Sequence, residues 1–159
     1  MVYNSNPSPM ARVAVGGTFD PLHDGHRAVL MKACALSRGG ELAVGLTSDE
    51  MVRNKVHEVD DYGSRYRGII DFFRTLGITP RITRLDDPYG PTVHEDFDFL
   101  VVSPETHSIA LKINRIRREK GLKEIKIVLV DYVLAEDGIP ISSTRIKKGE
   151  IDGQGKLLK

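Results

Sequence analysis

Two histidines three residues apart, His23 and His26, follow a Gly-Gly-Thr turn in the stretch Arg12-Val13-Ala14-Val15-Gly16-Gly17-Thr18-Phe19-Asp20-Pro21-Leu22-His23-Asp24-Gly25-His26. These residue types suit a polyphosphate. Gly16 and Gly17 carry no Cβ, so a large anion can approach the backbone closely. Thr18 supplies a hydroxyl where the apolar run ends. A helix beginning near Asp24 would aim unpaired N–H groups and a partial positive charge at the same opening. His23 and His26 at that helix start could both donate to phosphate oxygens. A lone Gly-Gly is usually a turn and a lone histidine usually structural, but here strand, glycines, hydroxyl, turn and paired histidines fall in one short order. That order describes an anion site at the carboxyl end of the first strand of an α/β sheet.

A second cluster of donors lies near the other end of the chain. Ser142, Ser143 and Thr144 place three hydroxyls at the expected start of the last helix, where a plain N-cap needs only one. Arg145, Lys147 and Lys148 follow. The group reads as a second phosphate grip, and the residues alone do not choose between Arg145 and Lys147 as its main cation. Lys55, by itself, reads as a solvated lysine in a loop after the second strand.

The elements that must position these groups follow from the apolar patterning. Val13 to Val15 is a buried strand, Arg27 to Ser37 a helix ended by Gly39-Gly40, and Glu41 to Thr47 a second strand. Ser48 is expected to cap a short helix over 49–51. Tyr62, Tyr66, Ile69, Ile70, Phe73 and Leu76 form one helical face stopped by Gly77. Arg81 to Leu85 and Phe97 to Val102 are further strands. Ser103 and Pro104 open a helix expected to run to Lys120, and Ile125 to Val130 is a fifth strand. Strand and helix alternate throughout, which predicts an α/β fold: a doubly wound, Rossmann-like parallel sheet of about five strands. The folded domain is expected over 11–150, with flexible termini at 1–10 and 151–159.

Composition narrows the function classes. The chain has 159 residues, 40% hydrophobic and 28% charged, with a formal net charge of +1. No bulk attraction to nucleic acid or to an acidic membrane is expected from that balance. The one cysteine, Cys34, suits a small core residue in a reducing compartment. The first ten residues are polar and do not read as a signal peptide, and the longest apolar run is too short to span a bilayer. Cytoplasmic location is the expectation.

The Gly17-to-His26 stretch resembles the G-T-F-D-x-x-H-x-G-H signature of the nucleotidyltransferase superfamily, whose members adenylylate or cytidylylate a phosphate or carboxylate and release pyrophosphate. Val44-Gly45-Leu46-Thr47, Leu85-Asp86-Asp87-Pro88-Tyr89-Gly90-Pro91, Val101-Val102-Ser103-Pro104-Glu105-Thr106 and Ile113-Asn114-Arg115 are similar to the archaeal and eukaryotic phosphopantetheine adenylyltransferases. The match runs from about Arg12 to Lys148, and the nucleotidyltransferase fold is what it implies. Where bacterial members carry R-G-x-R, this chain has Ser103-Pro104-Glu105-Thr106.

The resemblance implies a reaction: ATP and 4′-phosphopantetheine give dephospho-coenzyme A and pyrophosphate. It implies His26 as the residue that stabilises the transition state, with Thr18 and Lys55 on the acceptor phosphate. It puts Gly17 beside the nucleotide, and His23 with Ser142, Ser143 and Thr144 on the β- and γ-phosphates. Arg145 or Lys147 would follow those hydroxyls as the cation. The Ser103, Glu105 and Thr106 opening, with Asn114, would meet the adenosine half, and Asp87 and Tyr89 the acceptor. Mg²⁺ is expected on the ATP phosphates, not in a protein cage. The chain is expected as a monomer or small homo-oligomer. The alternatives are another acceptor (FMN, nicotinamide mononucleotide or glycerol phosphate) or a nucleotide sensor without turnover. The Asp137-Gly138-Ile139-Pro140-Ile141 approach to Ser142 differs from the R-T-x-G-I-S-T-T segment of cytidylyltransferases.

Overall fold

The computed structural model describes residues 10–55 and 57–158. Five parallel strands form one sheet: β1 (Arg12–Gly17), β2 (Glu41–Thr47), β3 (Arg81–Leu85), β4 (Phe99–Val102) and β5 (Lys126–Leu129). Their order across the sheet is β3-β2-β1-β4-β5. The chain therefore winds outward from β1 through β2 to β3, returns across the sheet, and winds the other way through β4 to β5. The point of reversal lies between β1 and β4, paired through Val13–Phe99 and Val15–Val101. Open α/β sheets bind ligands beyond the carboxyl ends of the strands at such a point.

Alternation along β1 sorts the two faces. Val13 and Val15 join Leu42, Val44 and Leu46 under Val29, Leu30 and Ala33 of helix α1 (Asp24–Leu36) and Ile69 and Phe73 of α2 (Tyr62–Thr75). Ala14, Ala43, Leu100 and Val102 point to the opposite face, against Ala110 and Ile113 of α3 (His107–Glu119). Helices thus cover both faces of a parallel sheet, as its apolar strands require. The short helix α4 (Ser143–Lys147) follows β5. Among the described residues no helix is long and apolar enough to cross a membrane.

Three local expectations differ from the structure. Residues 49–54 form turns, not a helix. Ser48 Oγ still accepts from Met51 N at 3.3 Å, but the backbone bonds that follow span three residues, and an isolated turn with no packed face does not propagate. Ser103 is not the cap of α3. Ser103 to Thr106 close a separate turn, in which Thr106 N donates to the Ser103 carbonyl and Thr106 Oγ1 accepts from Ser103 N, both at 3.1 Å. Pro104 suits the second position of such a turn, and the helix starts only at His107.

The third difference is the C-terminal segment, expected to fray after Glu150. Ile151 is fully buried with Ala135 and Ile141, and bridges antiparallel to Leu157. Gly155, at φ +85°, lies so close to Ala135 that a Cβ there would come within 2.8 Å of its Cα. Three glycines and two lysines within 149–159 disguise one isoleucine that completes a small core. The N-terminal extension expected over 1–10 lies outside the described residues except for Met10.

Candidate active site

The carboxyl ends of β1, β2 and β4 open into one cleft of about 700 Å³. Small residues make the room. Ala14 and Ala43 line the cleft where larger side chains would fill it, and Gly45 leaves room for Leu85, which lines it too. Its rim carries the turn after β1, the helix start of α1, the loop after β2, the Ser103–Thr106 turn and the start of α4.

His23 is the N-cap of α1, and the cap is unusual because the ring itself accepts. His23 Nδ1 takes the N–H of His26 at 3.2 Å. A lone pair on Nδ1 leaves the proton of the neutral ring on Nε2, so His23 presents that nitrogen as a donor. The two imidazoles stack with centroids 3.7 Å apart and planes at 16°. Phe19 closes the other side of His26, edge-on at 5.2 Å. Gly25 permits the stack: a Cβ there would lie 2.8 Å from His23 Cε1. Among the described residues His26 Nδ1 is buried without a hydrogen-bond partner.

Both rings are neutral near pH 7. Burial, helped by the nearby Arg27 charge and opposed by Asp24, lowers the His23 pKa to about 4. Burial lowers His26 to about 3, with added repulsion from His23, Arg27 and Lys55. Neutral imidazoles donate through one nitrogen without carrying charge into an apolar wall.

Most of the expected site residues meet on this cleft. Gly17, Thr18, His23, His26, Lys55, Tyr89, Ser103, Glu105, Thr106, Ser142, Ser143 and Thr144 all line it. Gly17 also faces a side chain of its own turn. A Cβ at Gly17 would meet the Phe19 ring at 3.0 Å, so its bareness accommodates Phe19, which itself holds a left-handed φ of 53°. Ser142 Oγ caps α4 by accepting from Arg145 N at 3.2 Å. The helix is only five residues long, so its hydroxyls and free N–H groups are the donors, with little macrodipole behind them.

Four expected residues are not in the lining of the cleft. Asn114 is buried beneath the sheet edge, where its amide makes two 2.8 Å bonds to the backbone of Ile125. It fastens the entry of β5 to α3 and is absent from the cleft wall. Arg145 is held by Asp137 and Glu150. Lys147 Nζ lies 3.3 Å from Asp20 Oδ2, and Asp20 does line the cleft, so Lys147 is tied to the cleft through that carboxylate. Asp87 Oδ1 accepts from the N–H groups of Tyr89 and Gly90, both at 2.8 Å, and shapes the loop that presents Tyr89.

Sequence reasoning passed over Thr47, Arg65 and Asp20. Arg65 looks like any helix-surface arginine, yet its side chain is 1% exposed. Only its distant partners reveal its place. Gly25 stood inside the quoted signature, and its spacing between the histidines was the available signal.

The chain matches the cytidylyltransferase-like family model over residues 14–149. It is 54% identical to the phosphopantetheine adenylyltransferase of Methanosarcina barkeri, over 94% of each chain. It is 47% identical to the enzyme of that name from Archaeoglobus fulgidus, over 92% of this chain and 99% of that one. Among solved structures, an Archaeoglobus fulgidus protein of unknown function superposes with a TM-score of 0.72 at 41% identity, over 76% of this chain and 89% of that one. A Francisella tularensis pantoate-beta-alanine ligase, complexed with beta-gamma ATP and beta-alanine, shares the fold at a TM-score of 0.58 and 11% identity, over 89% and 67%.

Proposed function

Since the chain belongs to the phosphopantetheine adenylyltransferases, within the cytidylyltransferase-like family, its reaction is adenylyl transfer from ATP to phosphopantetheine in coenzyme A biosynthesis, and we propose that it works by holding two phosphates in line between His26 and Thr18. An oxygen of the acceptor phosphate attacks the α-phosphorus of ATP. The new P–O bond forms as the bond from the α-phosphorus to the bridging oxygen breaks, giving dephospho-coenzyme A and pyrophosphate.

A phosphate monoester loses its second proton near pH 6, so the nucleophile is already an anion at neutral pH and no general base is required. Catalysis is then positioning plus stabilisation of charge on oxygens around the α-phosphorus. His26 is neutral, fixed between His23 and Phe19, and therefore preorganised to donate there. His23, through Nε2–H, and the 142–144 hydroxyls hold the β- and γ-phosphates. Thr18 and Lys55 receive the acceptor phosphate, and Tyr89 borders its organic arm. Ser103, Glu105 and Thr106 flank the adenosine side.

The nucleotide enters with its Mg²⁺ bound to phosphate oxygens. Mg²⁺ commonly keeps several of its waters and is held mainly through substrate phosphates, which supports an ion carried by the nucleotide. A cytoplasmic setting is part of the same proposal, and the half-buried Cys34 is the single cysteine of the chain.

The observation that carries this reading is the meeting of the stacked histidines, Thr18 and the 142–144 hydroxyls on one cleft at the switch between β1 and β4. The test is pyrophosphate release from ATP across a panel of acceptors. Turnover with 4′-phosphopantetheine is expected. Turnover only with FMN or nicotinamide mononucleotide would overturn it.

A further inference from the structure

Arg65 stands on α2, outside the cleft, yet its buried guanidinium reaches the two strand ends that build the acceptor side. Its Nε donates to the Asp60 carbonyl at 2.8 Å and Nη2 to Asp49 Oδ1 at 3.0 Å. Nη1 meets three oxygens: the Thr47 carbonyl at 2.8 Å, and Thr47 Oγ1 and the Thr18 carbonyl at 3.3 Å each. Thr47 Oγ1 in turn lies 3.0 Å from Thr18 Oγ1. Thr47 ends β2, and Thr18 follows the Gly17 that pairs with Leu46, so the sheet register itself brings the hydroxyls together.

A guanidinium has donors and no acceptor. Thr47 Oγ1 therefore offers a lone pair to Arg65, which leaves its own O–H free to donate to the oxygen beside it, Thr18 Oγ1. Thr18 accepts that proton and keeps its own hydrogen for the cleft. The opposite polarity would face lone pairs toward an incoming phosphate and repel it. We propose that Arg65 and Thr47 are positioning residues that set the direction of the Thr18 hydroxyl, making it a donor to the acceptor phosphate. This rests on the role given to Thr18 above.

The test is a double-mutant cycle in steady-state kinetics, with a melting curve for each variant. Thr47→Val keeps shape and removes the hydroxyl. It is expected to lower kcat with 4′-phosphopantetheine about ten-fold, the worth of one hydrogen bond to a charged group, with the KM for ATP unchanged. Thr47→Ser restores the hydroxyl and should recover most of that rate. In a Thr18→Val background, Thr47→Val should have no further effect on kcat, because its action passes through Thr18. The proposal is overturned if Thr47→Val keeps wild-type kcat, if Thr47→Ser is equally impaired, or if the two losses multiply. A wild-type enzyme that transfers nothing to 4′-phosphopantetheine overturns the functional reading and this inference together. A turning-over wild type with an unimpaired Thr47→Val overturns this inference alone.

Discussion

The carbonyl of Gly153 accepts the backbone N–H of Asp24 at 2.8 Å, joining the C-terminal segment to the first residue of α1. A helix start has several N–H groups with no partner inside the helix, and here the far end of the chain satisfies one of them. The residue just before Asp24 is His23, so the tail bears directly on the placement of the stacked imidazoles.

Ile151 anchors that tail. Its replacement by Ala removes three methyl or methylene groups from a fully buried site and should cost about 2–4 kcal/mol. Urea unfolding measures the loss. Deletion of residues 150–159 should lower kcat as well, in protein that remains folded at the assay temperature.

Gly25→Ala separates helix stability from site geometry. Alanine favours a helix interior by about 1 kcal/mol over glycine. The added Cβ would press on the His23 ring, breaking the cap or the stack. We expect a melting temperature near that of the wild type and a kcat lowered at least ten-fold. Unchanged turnover would show that the stack does not matter to the chemistry.

His26→Ala should depress kcat by about 10²–10³, with a smaller change in either KM, because its donor meets charge that develops only as the α-phosphorus is attacked. A ground-state ligand would instead raise the KM for ATP while kcat held. Kinetics and a melting curve on one variant distinguish these outcomes from simple unfolding.

The histidine pair also makes stability depend on pH. In the unfolded chain both rings take up a proton near pH 6.5, whereas the folded values are about 4 and about 3. Between those limits the unfolded state binds more protons, so stability rises with pH there. The melting temperature should therefore fall as pH drops below about 6.5, with this contribution flat above about 7.5. The slope should shrink in His26→Gln, which cannot titrate.

Asn114→Ala should damage the fold and spare the site. Removal of its amide leaves the N–H and carbonyl of Ile125 without their buried partners, at about 1–3 kcal/mol for each unsatisfied group. The KM for ATP in the folded fraction should stay at its wild-type value. A raised KM with unchanged stability would return Asn114 to the nucleotide site.

What the sequence determined by itself was whatever short-range order encodes. Apolar alternation gave the five strands, with β2 and β3 matching at both ends. The spacing from Gly16 to His26 named the turn and the two imidazoles that meet on the cleft, because the strand end, the turn and the helix start are consecutive in the chain. Ser142 to Thr144 were legible for the same reason.

Only the tertiary structure decided the roles of side chains whose partners are distant in sequence. Arg65 and Thr47 acquire meaning across 47 and 29 residues of separation from Thr18, and Asn114 across the turn into β5. A propensity or a local motif carries no term for such contacts. The C-terminal segment shows the same limit. Its composition reads as frayed, since glycine and lysine have little to bury, but one isoleucine finds a pocket made by Ala135 and Ile141. Burial of that side chain, and the bond from Asp24 to Gly153, offset the entropy of ordering the segment, a balance that no stretch of the sequence contains alone.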